Sequence, residues 1–247
     1  MLERLKRLFA GKPPGPDLGE VADWAQRRGH AFRRARDDTG FVIEGTLEGK
    51  PWRLEWGPPQ RPYIAGRELR LRMELAMPSE AQMLLLSRPL LESLERQTYE
   101  QFTEGNQTQI GTSTPEEMRW LVMFPKINLG SVPELKGHFA AVAGQEAIGL
   151  AWIEGPLANA LVQARGTLLA ADPPFVLMVL RNRGYLRVQL ADPEPRAIGV
   201  ALGLFEVSIT RAMQAAAAYP DASTGWGPST ASAWQSSRAD DGGSGRS

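Results

Sequence analysis

Residues 41–75 read FVIEGTLEGKPWRLEWGPPQRPYIAGRELRLRMEL, and through three segments of this stretch large apolar residues alternate with charged ones. One parity carries Phe41 and Ile43, then Trp52, Leu54 and Trp56, then Leu69, Leu71, Met73 and Leu75. The other carries Glu44, then Arg53 and Glu55, then Glu68, Arg70, Arg72 and Glu74. Successive side chains of an extended strand point to opposite faces, so this pattern predicts an antiparallel sheet with one buried and one wet face. Glu48-Gly49 suits a tight turn between the first two strands, and residues 57–66 form a longer, proline-rich connection.

On the N-terminal side, Leu2, Leu5, Leu8 and Phe9 lie among Arg4, Lys6 and Arg7, a flexible, basic, amphipathic arm that ends in the breakers of residues 11–16. Asp17 and Glu20 have capping-box spacing, Val21, Ala22 and Ala25 make an apolar stripe, and Gly29 suits the left-handed residue that ends a helix. On the C-terminal side a strand is expected near 82–87 and a helix near 88–104, with Ser87 as its cap. Thr114-Pro115-Glu116-Glu117 opens a short helix. Ser131 with Glu134 opens another, carrying Leu135, Phe139 and Val142 and ending at Gly144.

A strand near 147–153, a helix near 156–170 and a hairpin of 175–180 with 185–190 follow. The hairpin turns at Asn182-Arg183-Gly184, with Gly184 at positive φ. A helix near 194–217, apolar on more than one side, is expected to be central.

The expected fold is α+β: an antiparallel, meander-type sheet with helices on one face, plus a smaller C-terminal helix–strand–helix–hairpin–helix unit. The expected divisions are the arm at 1–16, a sheet-rich α+β unit at 17–128, an α+β unit at 129–217 packed on it, and a disordered Gly/Ser-rich tail at 218–247. Residues 17–217 as one continuous domain is the alternative. Across the whole chain Lys+Arg and Asp+Glu both number 28, so no general basic field is available to attract nucleic acid. The absence of cysteine excludes disulfides, thiolate nucleophiles and Cys-ligated metals. The first residues lack the apolar run of a secretory signal. No window is long and apolar enough to span a bilayer, so a cytoplasmic, soluble protein is expected.

Chemistry-bearing motifs are scarce. There is no GxSxG, SxxK, HExxH, GxGxxG or Walker-type loop, so no catalytic, metal-binding or cofactor-binding residue is assigned and no cofactor is expected. His30 follows a helix end, and His138 sits between Leu135 and Phe139, both positions where a packed or solvated imidazole is ordinary. Asp37-Asp38 reads as a turn. Glu116-Glu117 reads as the acidic first turn of a helix, where adjacent carboxylates do not face each other.

Two features bear on recognition instead. Arg53, Arg70 and Arg72 lie on the wet face of the sheet among Glu44, Glu55 and Glu74, where the mixed charges suffice as a solvated face and argue against the alternative, a platform for an acidic partner. The loop Gly57–Gly66 presents Arg61 and Tyr63, residue types enriched where proteins bind one another, or is a proline-rigidified corner with Tyr63 packed on Trp56. These five residues are the candidate partner-binding set. The function they suggest is a non-enzymatic protein-binding or adaptor module, bound to a protein partner or to itself. The alternative is a hydrolase or transferase whose carboxylates and arginines converge only in three dimensions. Nucleic acid is not an expected partner; the arm is expected to pack against the body or fray, with weak contact with a membrane surface as the alternative.

Overall fold

A computed structural model of the chain describes residues 18–36, 39–77, 81–103 and 116–219. The expected arm, the Asp17 cap, Asp37-Asp38, Thr114 and the tail beyond Tyr219 lie outside these residues.

Eight strands form one antiparallel sheet: β1 (Ala31–Arg34), β2 (Phe41–Leu47), β3 (Lys50–Gly57), β4 (Glu68–Glu74), β5 (Met83–Ser87), β6 (Phe139–Ala143), β7 (Phe175–Leu180) and β8 (Arg183–Gln189). Their order is β1-β2-β3-β4-β8-β7-β5-β6, so the meander β1–β4 continues sideways into the C-terminal hairpin through the β4–β8 pairing. The helices are α1 (Gly19–Arg27), α2 (Arg88–Thr103), α3 (Glu116–Met123), α4 (Glu146–Ile153), α5 (Pro156–Arg165) and α6 (Pro195–Ala218). The α+β class read from the sequence is the fold of the chain.

The apolar parity of residues 41–75 lies inward as expected. Phe41, Ile43, Trp52, Leu54, Trp56, Leu69, Leu71 and Met73 are all buried, and they share one core with α1, α4, α5 and α6. The long α6 runs through this layer with Ile198, Leu202, Phe205 and Ile209 covered on more than one side. Trp152 Nε1 on α4 donates to Ser208 O on α6 at 3.0 Å, which satisfies a buried donor and ties the two helices. A second helical layer covers part of the opposite face: α2 and α3 bring Leu90, Leu91, Leu94, Met118, Trp120 and Phe124 onto Leu84, Leu86, Val142, Val176 and Met178.

Turn chemistry explains the registers. Glu48 and Gly49 both have positive φ and join Leu47 to Lys50 in a two-residue hairpin turn, as expected. The β7–β8 turn is Arg181-Asn182, both left-handed, which is one residue earlier than the sequence suggested. Gly184 lies inside β8 instead, where a Cβ would collide with Ile209 Cδ1. It is there for close approach of α6, not for a turn.

Three other expectations are corrected. Ser131 ends a single 3-10 turn, Leu129–Ser131, residues 133–138 are turns, and Phe139–Ala143 is a strand rather than part of a helix, paired with β5 from Met83↔Ala143 to Ser87↔Phe139. Residues 146–153 are helix α4 rather than a strand. The Ser87 hydroxyl is engaged elsewhere: it donates to Pro173 O at 3.0 Å and accepts from Phe175 N at 3.3 Å. Strand β1 was not anticipated, because Phe32 is its sole large apolar residue.

Candidate functional site

The charged parity of β2–β4 is laid out in rows by the register. Glu44, Arg53, Arg72 and Tyr185 form one row across β2, β3, β4 and β8, and Val42, Glu55, Arg70 and Arg187 form the next. Glu68 and Gln189 pair in a third. Followed toward β7 and β5, the first two rows turn apolar: Tyr185 pairs with Met178 and that with Leu84, while Arg187 pairs with Val176 and that with Leu86. The helices α2 and α3 cover the apolar end of these rows and leave the charged end open.

Within the open half Glu44 and Glu55 each serve two arginines, while Glu74 pairs with Arg183 at 3.1 Å. Glu44 accepts from Arg33 and, at 2.9 Å, from Arg53. Glu55 accepts from Arg53 and, at 2.7 Å, from Arg70. Burial alone would raise the Glu55 pKa, but the hydrogen bonds from Arg53 and Arg70 prevail and hold it below the ordinary value. Arg72 is exposed and makes no ion pair among the described residues. It faces Arg53 on one side and Tyr185 on the other, in a shallow cavity of about 510 Å³ whose lining includes Glu44, Trp52, Arg53, Arg72, Arg183 and Tyr185.

At the border between the halves the charges are covered and held in fixed pairs. Glu68 is fully buried, accepts from Arg187, and receives the backbone N–H of Gln60 at 2.6 Å. Glu117, on the first turn of α3, is also fully buried. It accepts from Arg61 Nε at 3.0 Å and from the Tyr63 hydroxyl at 2.8 Å. Burial and then the nearby Glu117 charge push the Tyr63 phenol well above its usual range. Burial opposes the Arg61 charge, but Glu117 outweighs it and raises the guanidinium pKa. The loop of residues 57–66 is thereby fastened to α3.

The candidate residues therefore fall in two groups. Arg53, Arg70 and Arg72 stand together on the open half, whereas Arg61 and Tyr63 converge on Glu117 at its border. Glu117 was read from the sequence only as a helix-opening residue. Its partners lie 56 and 54 positions away, beyond the reach of any local pattern.

Other groups show little reactive geometry. His30 packs edge-on against Trp52 at 4.9 Å, and burial and then Arg28 lower its pKa. Glu206, on α6, has its pKa raised by burial, with Arg28 opposing, and so is shifted opposite to Glu55. The two lie on opposite sides of the sheet and cannot serve one substrate atom. Among the described residues no group of three or more His, Asp or Glu could hold a metal, and no helix is long and apolar enough to cross a membrane.

No family model matches the sequence, and no curated protein matches it. Among solved structures, the crystal structure of the mycobacterial trehalose monomycolate transport factor A, TtfA, is similar to 78% of this chain and 92% of its own, with a TM-score of 0.43 and 9% sequence identity.

Proposed function

We propose that the protein is a non-enzymatic binding module that holds an acidic segment of a protein partner against the open half of its charged sheet face. One observation carries this reading. Arg72 stands exposed and without an ion pair among the described residues, beside Arg53 and Tyr185, in a cavity built on the rigid centre of the sheet. An exposed arginine among satisfied ones is the group that an incoming carboxylate meets at least cost, because no existing pair must be broken. Arg53 and Arg70 supply the surrounding positive field, and Arg61 and Tyr63 hold the adjoining loop in place through Glu117. A cytoplasmic location belongs to the same reading.

The test is capture of binding partners by the wild type beside Arg72→Glu, followed by titration of the purified partner. A partner of this face binds at least tenfold more weakly to Arg72→Glu, whose thermal midpoint stays that of the wild type. Equal binding by the two proteins sinks the reading.

A further inference from the structure

The β1 end of the sheet has a property that the rest of the open half lacks. Among the described residues strand β1 is an edge, paired on one side only. The backbone of Ala35 donates to Gly40 O at 2.9 Å, and hydrogen-bonded pairs alternate along an antiparallel ladder. The bonded pairs are then Ala35/Gly40, Arg33/Val42 and Ala31/Glu44, which leaves the N–H and C=O groups of Phe32 and Arg34 directed outward. Among the described residues neither has a hydrogen-bond partner for them. Such an edge is a template for another strand.

The surroundings of that edge select the charge of what could pair there. A groove of about 480 Å³ runs along β1, β2 and the end of β3, and among the described residues Arg33, Arg34, Arg36, Arg53 and Arg70 line it with Glu55 as the one carboxylate. Glu55 is already shared between Arg53 and Arg70. Arg34 and Arg36 are exposed and make no ion pair among the described residues. Arg33, which already donates to Glu44, and Arg34 project from opposite sides of β1, so an added strand would meet an unpaired arginine on the Arg34 side and a shared one on the other.

From these features we infer that the β1 edge accepts an extended acidic segment of a partner protein as a ninth strand, with backbone hydrogen bonds at Phe32 and Arg34 and carboxylates on Arg33, Arg34 and Arg36. This rests on the binding-module reading and names the partner's chemistry and its mode of attachment. A second copy of this chain fits poorly, because β1 against β1 sets arginine opposite arginine. Strand addition takes its affinity from the main chain and its selectivity from alternate side chains, which an edge with open backbone groups and flanking arginines supplies.

The experiment uses the full chain and two eight-residue peptides, one alternating glutamate with valine and the other alternating lysine with valine. The glutamate peptide is expected to bind at least tenfold more tightly at low salt, to weaken as salt rises, and to slow amide exchange at Phe32 and Arg34. Arg34→Glu/Arg36→Glu should lose that binding at least tenfold with an unchanged thermal midpoint. Asp37→Asn/Asp38→Asn, which removes the two acids that follow Arg36 in sequence, should tighten it.

Glutamate-peptide binding without protection of those two amides overturns the proposal, and so does equal binding of both peptides or of neither. Binding to phosphatidylglycerol vesicles in place of the peptide also overturns it, in favour of a lipid surface. If Arg72→Glu releases the captured partner while Arg34→Glu/Arg36→Glu retains it, the edge proposal fails and the open-face reading stands. If neither variant releases it, both fail.

Discussion

The two ends of the same sheet face solve opposite problems. At one end Leu84, Leu86, Val142, Val176 and Met178 present apolar surface that water would penalise, and α2 and α3 cover it. At the other end Glu44, Arg53, Glu55, Arg70 and Arg72 continue the same register rows with no need of a cover, since water and neighbouring charges satisfy them. The border runs along β8, where Tyr185 and Arg187 combine apolar stems with polar tips. There the charges are covered, and Glu68 and Glu117 are tolerated because arginine and tyrosine donors reach them. What separates structural from available charge on this face is whether a helix or loop lies over it, not the residue type.

The comparison breaks most sharply at the border. Arg187→Ala takes from the buried Glu68 the nearer of its two guanidinium partners, leaving Arg70 at 3.8 Å, and should destabilise the protein by about 3–5 kcal/mol in urea unfolding. Changing Glu68 to Leu and Arg187 to Met together should recover most of that loss, since a buried ion pair is often no better than apolar residues of similar size. On the covered half, Leu86→Ala should cost about 2–5 kcal/mol through cavity formation under α2 and α3. A loss below that range would mean the helical layer gives way to fill the space.

Tyr63→Phe removes one of the hydrogen bonds to buried Glu117 and should cost about 1.5–3 kcal/mol, readable by the same unfolding curves. For the open half the informative variable is pH. The folded pKa of Glu55 lies below its ordinary value of 4.5, so its stabilising contribution is present above that value and fades as pH falls through the lower folded value. Unfolding measured down to about pH 3 should show this acid-side loss in the wild type and a shallower one in Glu55→Gln. Identical slopes would mean the Arg53 and Arg70 bonds contribute nothing. Arg72→Ala, at the bottom of the scale, should change stability by no more than about 0.5 kcal/mol, because nothing described is paired with it.

The strands β2, β3 and β4 were legible because apolar and charged residues alternate along most of their length, Val42 and the buried Glu68 being exceptions. The period-two signal is then written in residue type. Strand β6 was not, because it is covered on both faces: Phe139, Ala141, Val142 and Ala143 are all buried, and alternation disappears. The spacing of Leu135, Phe139 and Val142 imitates a helix, and only the pairing with β5 decides otherwise. The apolar run of α4 misled in the opposite direction, since its Ile148 and Ile153 favour a strand until packing on α6 is known.

On the open half of the sheet, sequence located Arg53, Arg70 and Arg72 on a common face. It did not reveal that Arg61 and Tyr63 meet Glu117. The β1 edge was invisible too, since four residues with one apolar side chain carry no periodic signal.

The β4–β8 pairing has a consequence for how the chain reaches this fold. Arg187 and Glu68 meet across 119 residues of sequence, so the middle of the sheet closes only after the last strand exists. During synthesis the meander β1–β4 is available early, but its β4 side stays open until residues 183–189 have left the ribosome. Closing so long a loop precedes any reward from the contacts it brings, which makes this union the expected slow step in refolding. It also marks the interval in which a nascent chain is most prone to pair with a neighbour instead of with itself.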